Sequence, residues 1–517
     1  MNRYLKTIKL YIFLSIVFSL IEAVVTSALL LFPGWLVDNY ANGISYILNL
    51  VFLYITAFML YLVTVYIFNR ITDYRRIKFE KAIKKDFFNA AIERDFQKYH
   101  EYDIQEYISM QANDINEICQ NYLSPLFSIF RSIILIATFG IALVIFVHYY
   151  IACLIIVFSI AVVFIPNITA KTLAKRNKAY LDEVGKYSSD VSKMLNAHDI
   201  LDTDGKSTLK KIHSKRLDFV LAKNMDFRRV NSFAMVLNGG SVEFISVIVF
   251  CFIALLLING RITVGMATIA FTYSTKFIEP MYELNVCLGK VLSVKKAQEK
   301  LLKIIDGKNN EKKESVDHVK TISITGAKKE YPQVLLKYSD RRFQSPFKYL
   351  ITGENGAGKS VFLKLLMRFE ELDDGEIMVN ESSDIDMTNN VCYVPQNAVI
   401  FNASYEDNVT IYGTYKKEKL PFYESFFPPE VVTHIKSNAD LSNLSGGEKQ
   451  VVSFIRALCS EKEVLIMDEP FSAMNKVTID YFFNNFKQIR RMMLIVSHNT
   501  NDYKYLFDEV VNIERRN

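Results

Sequence analysis

The pattern of apolar and polar positions divides the chain into two halves of different character. Between residues 10 and 278 it contains six apolar runs, Leu10–Leu31, Ile47–Phe68, Leu126–Val147, Tyr150–Ile165, Phe233–Ile258 and Ile262–Ile278. Each approaches the roughly 20 residues that a helix needs to cross a bilayer. The connections after the first, third and fifth runs are short, whereas Arg70–Ser124 and Asn167–Asn231 are long and rich in Lys and Arg. Basic loops remain on the cytoplasmic side, so both long loops are expected there. An even number of spans places both termini on that side too, in keeping with Arg3, Lys6 and Lys9. Leu10–Phe32 exceeds a signal peptide's apolar region and no small-residue cleavage site follows it, so it is expected to stay in the membrane. Tyr74–Phe96 and Lys171–Leu195 lack Gly and Pro clusters, which predicts helices continuing beyond the membrane surface. The helical pattern relaxes around Phe96–Asp103 and Asn196–Gly205, where a short transverse helix or an exposed loop is expected.

The second half is patterned as a soluble domain. Glu299–His318 is rich in Lys, Glu and Asn and carries the turn pairs Asp306-Gly307 and Asn309-Asn310, so residues 299–318 read as a linker between a membrane domain over 1–298 and a domain over 319–517. Strands are predicted at Lys320–Thr325, Tyr349–Thr352, Val391–Val394, Val464–Met467 and Leu494–His498, with a helix over Gln450–Leu458. The fold class is therefore an all-α membrane domain of six helices with long cytosolic extensions, followed by an α/β domain.

Composition agrees with this division. A chain of 517 residues is too long for one core. Half is apolar while 22% is charged, so the two must be segregated between membrane and cytosol. The net charge of +6 is spread along the chain, which speaks against a nucleic-acid surface. The six cysteines are far apart and unaccompanied by His, as buried thiols are. Glu22 and Glu243 fall near mid-span and read as facing a water-filled path or, as the alternative, as members of a structural pair. Lys276 and Glu279, three apart on one helix face, read as a local ion pair.

The densest chemistry lies in Gly353-Glu354-Asn355-Gly356-Ala357-Gly358-Lys359-Ser360, between the apolar Tyr349–Ile351 and Val361–Leu366. Glycines at this spacing let backbone N–H groups turn around phosphate oxygens at a helix N-terminus. Lys359 is placed to reach the outer phosphates and Ser360 to ligate Mg²⁺. Three further strands end in polar groups suited to the same edge. Gln396 follows Val391–Val394 and can touch Mg²⁺; Asp468 and Glu469 follow Val464–Met467, one to hold the metal shell and one to polarise water; His498 follows Leu494–Ser497 as a phosphate contact. Leu444-Ser445-Gly446-Gly447-Glu448 opens a helix and forms a second anion-facing end.

In this order the motifs resemble those of the ATP-binding cassette (ABC) transporters of the exporter type, and the resemblance covers nearly the whole chain. It implies that Gly353–Ser360 is the Walker A loop, Gln396 the Q-loop residue, Leu444–Glu448 the signature, Asp468-Glu469 Walker B with its catalytic glutamate, His498 the switch histidine and Tyr331 the adenine-stacking aromatic. ATP would then lie against Tyr331, Gly353–Ser360, Val361 and, from another chain, Ser445, Gly446 and Gly447. Mg²⁺ would be held by Ser360, Gln396 and Asp468, and catalysis carried by Glu469 and His498. Phe401–Val409 looks like the segment that follows the Q-loop in exporters, and Asn113-Asp114 and Ile262–Gly265 have exporter-like neighbours.

The resemblance implies a dimer of half-transporters in the bilayer that exports a substrate. A peptide is the expected cargo, with a lipid or drug, a heterodimer subunit, or an ATP-binding membrane regulator as alternatives. Asn475 stands where the family ends its D-loop in Asp, the stretch from Gln396 to Leu444 is abbreviated, and the residues before the first span do not resemble the peptidase domain of some peptide exporters.

Overall fold

The computed structural model describes the chain apart from residues 95, 308–313, 332–333, 355, 384, 388, 499–500 and 514–517. Side chains at 2, 97, 159–163, 166–167, 242, 285, 292, 314, 334 and 501 also fall outside the description. The residues group into two compact units, Met1–Glu93 with Asp103–Gly307, and Arg94–Tyr102 with Lys308–Asn517.

The first unit is helical. Its principal helices are α1 (Lys9–Asp38), α2 (Ile44–Ile92), α3 (Ile104–Phe146), α4 (Tyr149–Phe164), α5 (Pro166–Asn196), α6 (Thr203–Ile258), α7 (Val264–Ser293) and α8 (Lys295–Asp306). Among the described residues four of them, α1, α2, α3 and α6, are long and apolar enough to cross a membrane, against the six spans expected. The other two expected spans fall in α4 and α7. Helix α4 has 16 residues and is short by itself, while α7 has the length but carries Thr268, Thr272, Ser274, Thr275 and Lys276. Helix α2 extends beyond its apolar run and the separate helix α5 covers Lys171–Leu195, as the patterning of those segments predicts, and α6 also begins well before its apolar run. A 3₁₀ turn, His198–Ile200, occupies the second predicted break. The first part of the stretch read as a linker, from residue 299, lies in α8, an amphipathic helix with a charged face that buries Leu301 and Ile304.

Helices α1 and α7 approach closely because two glycines meet. A Cβ on Gly34 would stand 2.4 Å from the Gly265 carbonyl oxygen, and one on Gly265 would stand 2.3 Å from that of Gly34. Asp38 closes the junction by accepting from Thr263 Oγ1 at 2.6 Å and Gly265 N at 2.7 Å. This gives Ile262–Gly265 a concrete role as the entry to α7. Asn113-Asp114 lies in a π-turn, Met110–Asp114, within α3.

Glu22 does not face a water-filled path. It is 3% exposed, and the Arg131 guanidinium grips its carboxylate through two hydrogen bonds of 2.6 and 3.0 Å. Arg131 also lies 3.6 Å from Glu283, which accepts from Ser132 at 3.3 Å, so α1, α3 and α7 are tied together. In the sequence Arg131 is masked by its apolar neighbours within the third run. Glu243 is exposed on α6, and Lys276 and Glu279 form an ion pair at 3.9 Å. Arg131→Met is expected to destabilise the protein by about 3–5 kcal/mol, because it strands a buried carboxylate. Thermal unfolding in detergent should show a large drop, mostly recovered when Glu22→Gln is added.

Among its described residues the second unit holds nine principal strands: β1 (Thr321–Tyr331), β2 (Val334–Lys337), β3 (Arg341–Gln344), β4 (Lys348–Thr352), β5 (Asp374–Val379), β6 (Val391–Val394), β7 (Val464–Asp468), β8 (Met492–Val496) and β9 (Glu509–Asn512). In the parallel sheet the order is β9-β4-β8-β7-β6, and β1 joins β2, β3 and β5 in an antiparallel sheet. Strands β7 and β8 are buried at every position, which is why they read as unbroken apolar runs. The parallel sheet is packed on one side by a cluster including Leu465, Met467, Phe454 and Phe471, and on the other by one including Ile466, Leu494, Phe362 and Leu366. The first predicted break is filled by a short helix, Phe96–Tyr99, which belongs to this unit.

Candidate functional site

Because four neighbouring strands run parallel, their carboxyl ends deliver four loops to one edge of the sheet, the position at which open α/β sheets bind ligands. Strand β4 leads into Gly353 and the glycine loop, and helix α9 (Lys359–Leu366) starts directly after it. Two of its glycines are required by geometry. Gly353 has φ +152°, and a Cβ there would stand 2.4 Å from the Ile513 carbonyl oxygen. Gly358, at φ +89°, caps the helix in the left-handed region, and a Cβ would meet Leu336 and the Tyr338 hydroxyl, each at 2.8 Å. The Tyr338 hydroxyl donates to the Gly358 carbonyl at 3.0 Å, so β2 and the residue after it brace the loop from below. Ala357 is buried, whereas Glu354, Gly356 and Ser360 are exposed and Val361 is half-buried. Asn355 lies outside the described residues.

Lys359 is buried, and its Nζ donates to the carbonyls of Gly353 at 3.0 Å and Glu354 at 2.9 Å. Burial holds its pKa below the usual lysine value, and Glu469 and Asp468 act in the opposite direction. That opposing field joins the loop to the end of β7. Asp468 is buried as the last residue of that strand. Glu469 follows at φ +47°, a left-handed conformation unusual for a non-glycine residue. Its backbone N–H donates to the Val496 carbonyl on β8 at 2.9 Å, which holds the turn. Its carboxylate lies 3.4 Å from His498 Nε2, just beyond the end of β8. Gln396, after β6, is exposed.

Ser445 caps helix α10 (Gly446–Cys459) in a reciprocal capping box with Glu448. Ser445 and Gly446 are exposed, and a Cβ on Gly447 would stand 2.6 Å from the Ala473 carbonyl oxygen. Gln450, a residue that the motif reading treated only as the start of a helix, bridges this end to the loop after Glu469. Its amide donates to Ser472 Oγ at 2.9 Å and accepts from Ala473 N at 3.0 Å. Arg456 was likewise missed. Its guanidinium binds the carbonyls of Asn408 at 2.7 Å and Val399 at 2.8 Å, which fixes the Phe401–Val409 segment. Both lie on the helix that Ser445 opens, and their partners lie in segments distant in the chain.

Tyr331 is the last residue of β1 rather than part of a loop, and its hydroxyl donates to Glu370. Asn475 caps helix α11 (Lys476–Asn485), accepting from Thr478 N at 2.9 Å. An Asp at this position would cap equally well.

The donor set suits a nucleotide and Mg²⁺. A glycine cradle and a buried ammonium supply donors of the kind that phosphate oxygens accept from, and among the described residues no group of three or more His, Cys, Asp or Glu is arranged for a metal. An ion here would draw much of its shell from phosphate and water, as Mg²⁺ commonly does.

The family model described as ABC transporter matches residues 340–472, and that described as ABC transporter transmembrane region matches residues 12–281. A Rickettsia typhi protein, named provisionally as an export ATP-binding/permease protein, is 25% identical over 466 residues, 81% of this chain and 77% of its own length. The ATP-dependent lipid A-core flippase of Wigglesworthia glossinidia brevipalpis is 25% identical over 433 residues, 77% of this chain and 72% of its own. In fold, the chain is similar to a bacterial Atm1-family ABC exporter with ATP bound, at a TM-score of 0.80 and 16% identity over 99% of this chain and 94% of that one. The chain belongs to the ABC transporter family, a multi-pass membrane protein whose α-helical membrane region is fused to an ABC-type ATPase.

Proposed function

We propose that the chain is one half of a dimeric exporter that uses ATP to move a lipid-like amphiphile out of the cell. The observation that carries the ATPase part is the meeting of Lys359, Asp468, Glu469 and His498 at one sheet edge, with Glu469 held 3.4 Å from His498. In this reading the loop amides of Gly353–Ser360, with Val361 behind them, bind phosphate oxygens, Lys359 balances their charge and Tyr331 stacks on the base. Ser360, Asp468 and Gln396 hold Mg²⁺, which when bound draws charge off the transferring phosphoryl group. Glu469 accepts the proton of the attacking water, and His498 steadies the outer phosphate. Ser445, Gly446 and Gly447 complete the site from a second chain, so two chains enclose each ATP.

Six crossings, with α4 and α7 supplying the two beyond the four apolar helices, put both termini and the nucleotide domain in the cytoplasm. The membrane domain then extends through α8, with a connection to the nucleotide domain that begins near residue 319. A lipid-like cargo is preferred to a peptide because the relative named for lipid A-core flipping aligns with most of this chain. ATPase activity in lipid nanodiscs, measured against panels of lipids, amphiphilic drugs and peptides, tests the assignment. Stimulation by peptides alone would reverse the preference.

Lys359→Ala is expected to weaken ATP binding at least tenfold, since it removes a charge-assisted contact to phosphate worth about 1.5–3 kcal/mol. Equilibrium binding of ATP checks this. Unchanged affinity would remove the loop from the nucleotide site.

A further inference from the structure

The proposed nucleotide site leaves one neighbouring cluster unused. Glu370, shortly after α9, accepts a hydrogen bond from the Tyr331 hydroxyl, and its other carboxylate oxygen lies 3.7 Å from Lys364 Nζ. The residue before it, Phe369, stacks on Phe96 with ring centroids 3.8 Å apart and planes within 9°. Phe96 opens the helix Phe96–Tyr99 and makes an edge contact with His100 at 4.0 Å. Phe369 also meets Tyr393 edge-on at 6.0 Å, on the strand that ends before Gln396.

A tyrosine ring at a strand end has two torsions to fix before it can offer a face to a base. A charge-assisted hydrogen bond to its hydroxyl fixes them from the far end of the ring. The carboxylate that does so is joined by one peptide unit to the ring on which Phe96 stacks. Any shift of Tyr331 on stacking therefore reaches the Phe96–Tyr99 helix through two adjacent residues. That helix belongs to the nucleotide-side unit, although the chain on both sides of it, Glu93 and Asp103, belongs to the membrane-side unit.

We propose that Glu370 is a positioning residue that sets the Tyr331 ring for the adenine base and, through Phe369 and Phe96, makes base binding and docking of the Phe96–Tyr99 helix one coupled event. The inference rests on the reading of Tyr331 as the base platform. It predicts that the base, and not the phosphates alone, controls the segment Arg94–Tyr102.

The test uses the full chain in nanodiscs. Glu370→Leu removes the acceptor, Glu370→Gln keeps one, Tyr331→Phe deletes only the hydroxyl and Tyr331→Ala removes the ring. Glu370→Leu and Tyr331→Phe are expected to raise KM for ATP about five- to tenfold, with kcat within about twofold. Inhibition by tripolyphosphate, which has no base, should not change, and Glu370→Gln should restore most of the affinity. Hydrogen exchange should show ATP protecting residues 94–102 in the parent and in Glu370→Gln but not in Glu370→Leu. Protection of Val464–Asp468 serves as the check on folding. If Glu370→Leu weakens tripolyphosphate as much as ATP, leaves KM unchanged, or leaves the ATP-dependent protection of 94–102 intact, the proposal is overturned. Should Tyr331→Ala also leave KM for ATP unchanged, the base-platform reading itself falls. If Tyr331→Ala raises KM while Glu370→Leu does not, that reading stands and only the role of Glu370 is lost.

Discussion

Replacing Glu469 with Gln is expected to lower ATP turnover by a factor of about 10²–10⁴, the usual contribution of a positioned general base, while leaving ATP binding intact. Gln preserves the size of the side chain and an oxygen toward His498 but cannot accept the proton of the attacking water. The backbone argues for a specialised side chain at this position. Glu469 sits at φ +47°, a conformation that glycine or asparagine would adopt more readily, and its N–H is tied across to Val496. A strained turn held by a neighbouring strand aims the carboxylate at the shared edge, and Glu469→Gln leaves that turn unchanged. Steady-state ATPase assays paired with equilibrium ATP binding separate the two effects. Turnover at the parent rate would transfer the role of base to another residue.

The parts of this molecule legible in the sequence are those whose physics is local. Strands β7 and β8 are buried on both faces and so appear as runs of consecutive apolar residues, each ending in the polar group that reaches the site. Gly353 and Gly358 adopt backbone conformations closed to side chains, and Ser445 with Glu448 forms a capping box visible at a spacing of three. The illegible parts depend on partners distant in the chain. Glu22 looked like a lone charge near mid-span because Arg131 is 109 positions away. Helix α8 looked like a linker because its two buried positions, Leu301 and Ile304, lie among Lys and Glu. Asn475 looked like a departure from the family, yet it performs the cap that an Asp would perform. Glu370 carried no motif at all, since its significance comes from the hydroxyl of Tyr331 on another strand.

A homodimer is the expected result. In Glu469→Gln protein purified alone, ATP should be trapped between two copies of the chain, remain bound through desalting and accompany a particle of dimer mass. Adding Ser445→Arg should abolish trapping while leaving ATP bound at the Lys359 loop of each chain. The geometry is restrictive. Ser445 is exposed at the start of α10, Gly447 has no room for a Cβ against Ala473, and the capping box fixes the backbone between them. An Arg side chain there has no inward space, so it must project into the volume needed by the outer phosphate of the facing chain. It also breaks the Ser445–Glu448 cap, a loss of about 1 kcal/mol, too small to unfold α10, whose residues Val451–Ile455 are all buried. Mass photometry with and without ATP, paired with the desalting assay, reads both consequences. A chain that remains monomeric and retains no ATP in the Glu469→Gln background would establish instead that a different polypeptide supplies the second half.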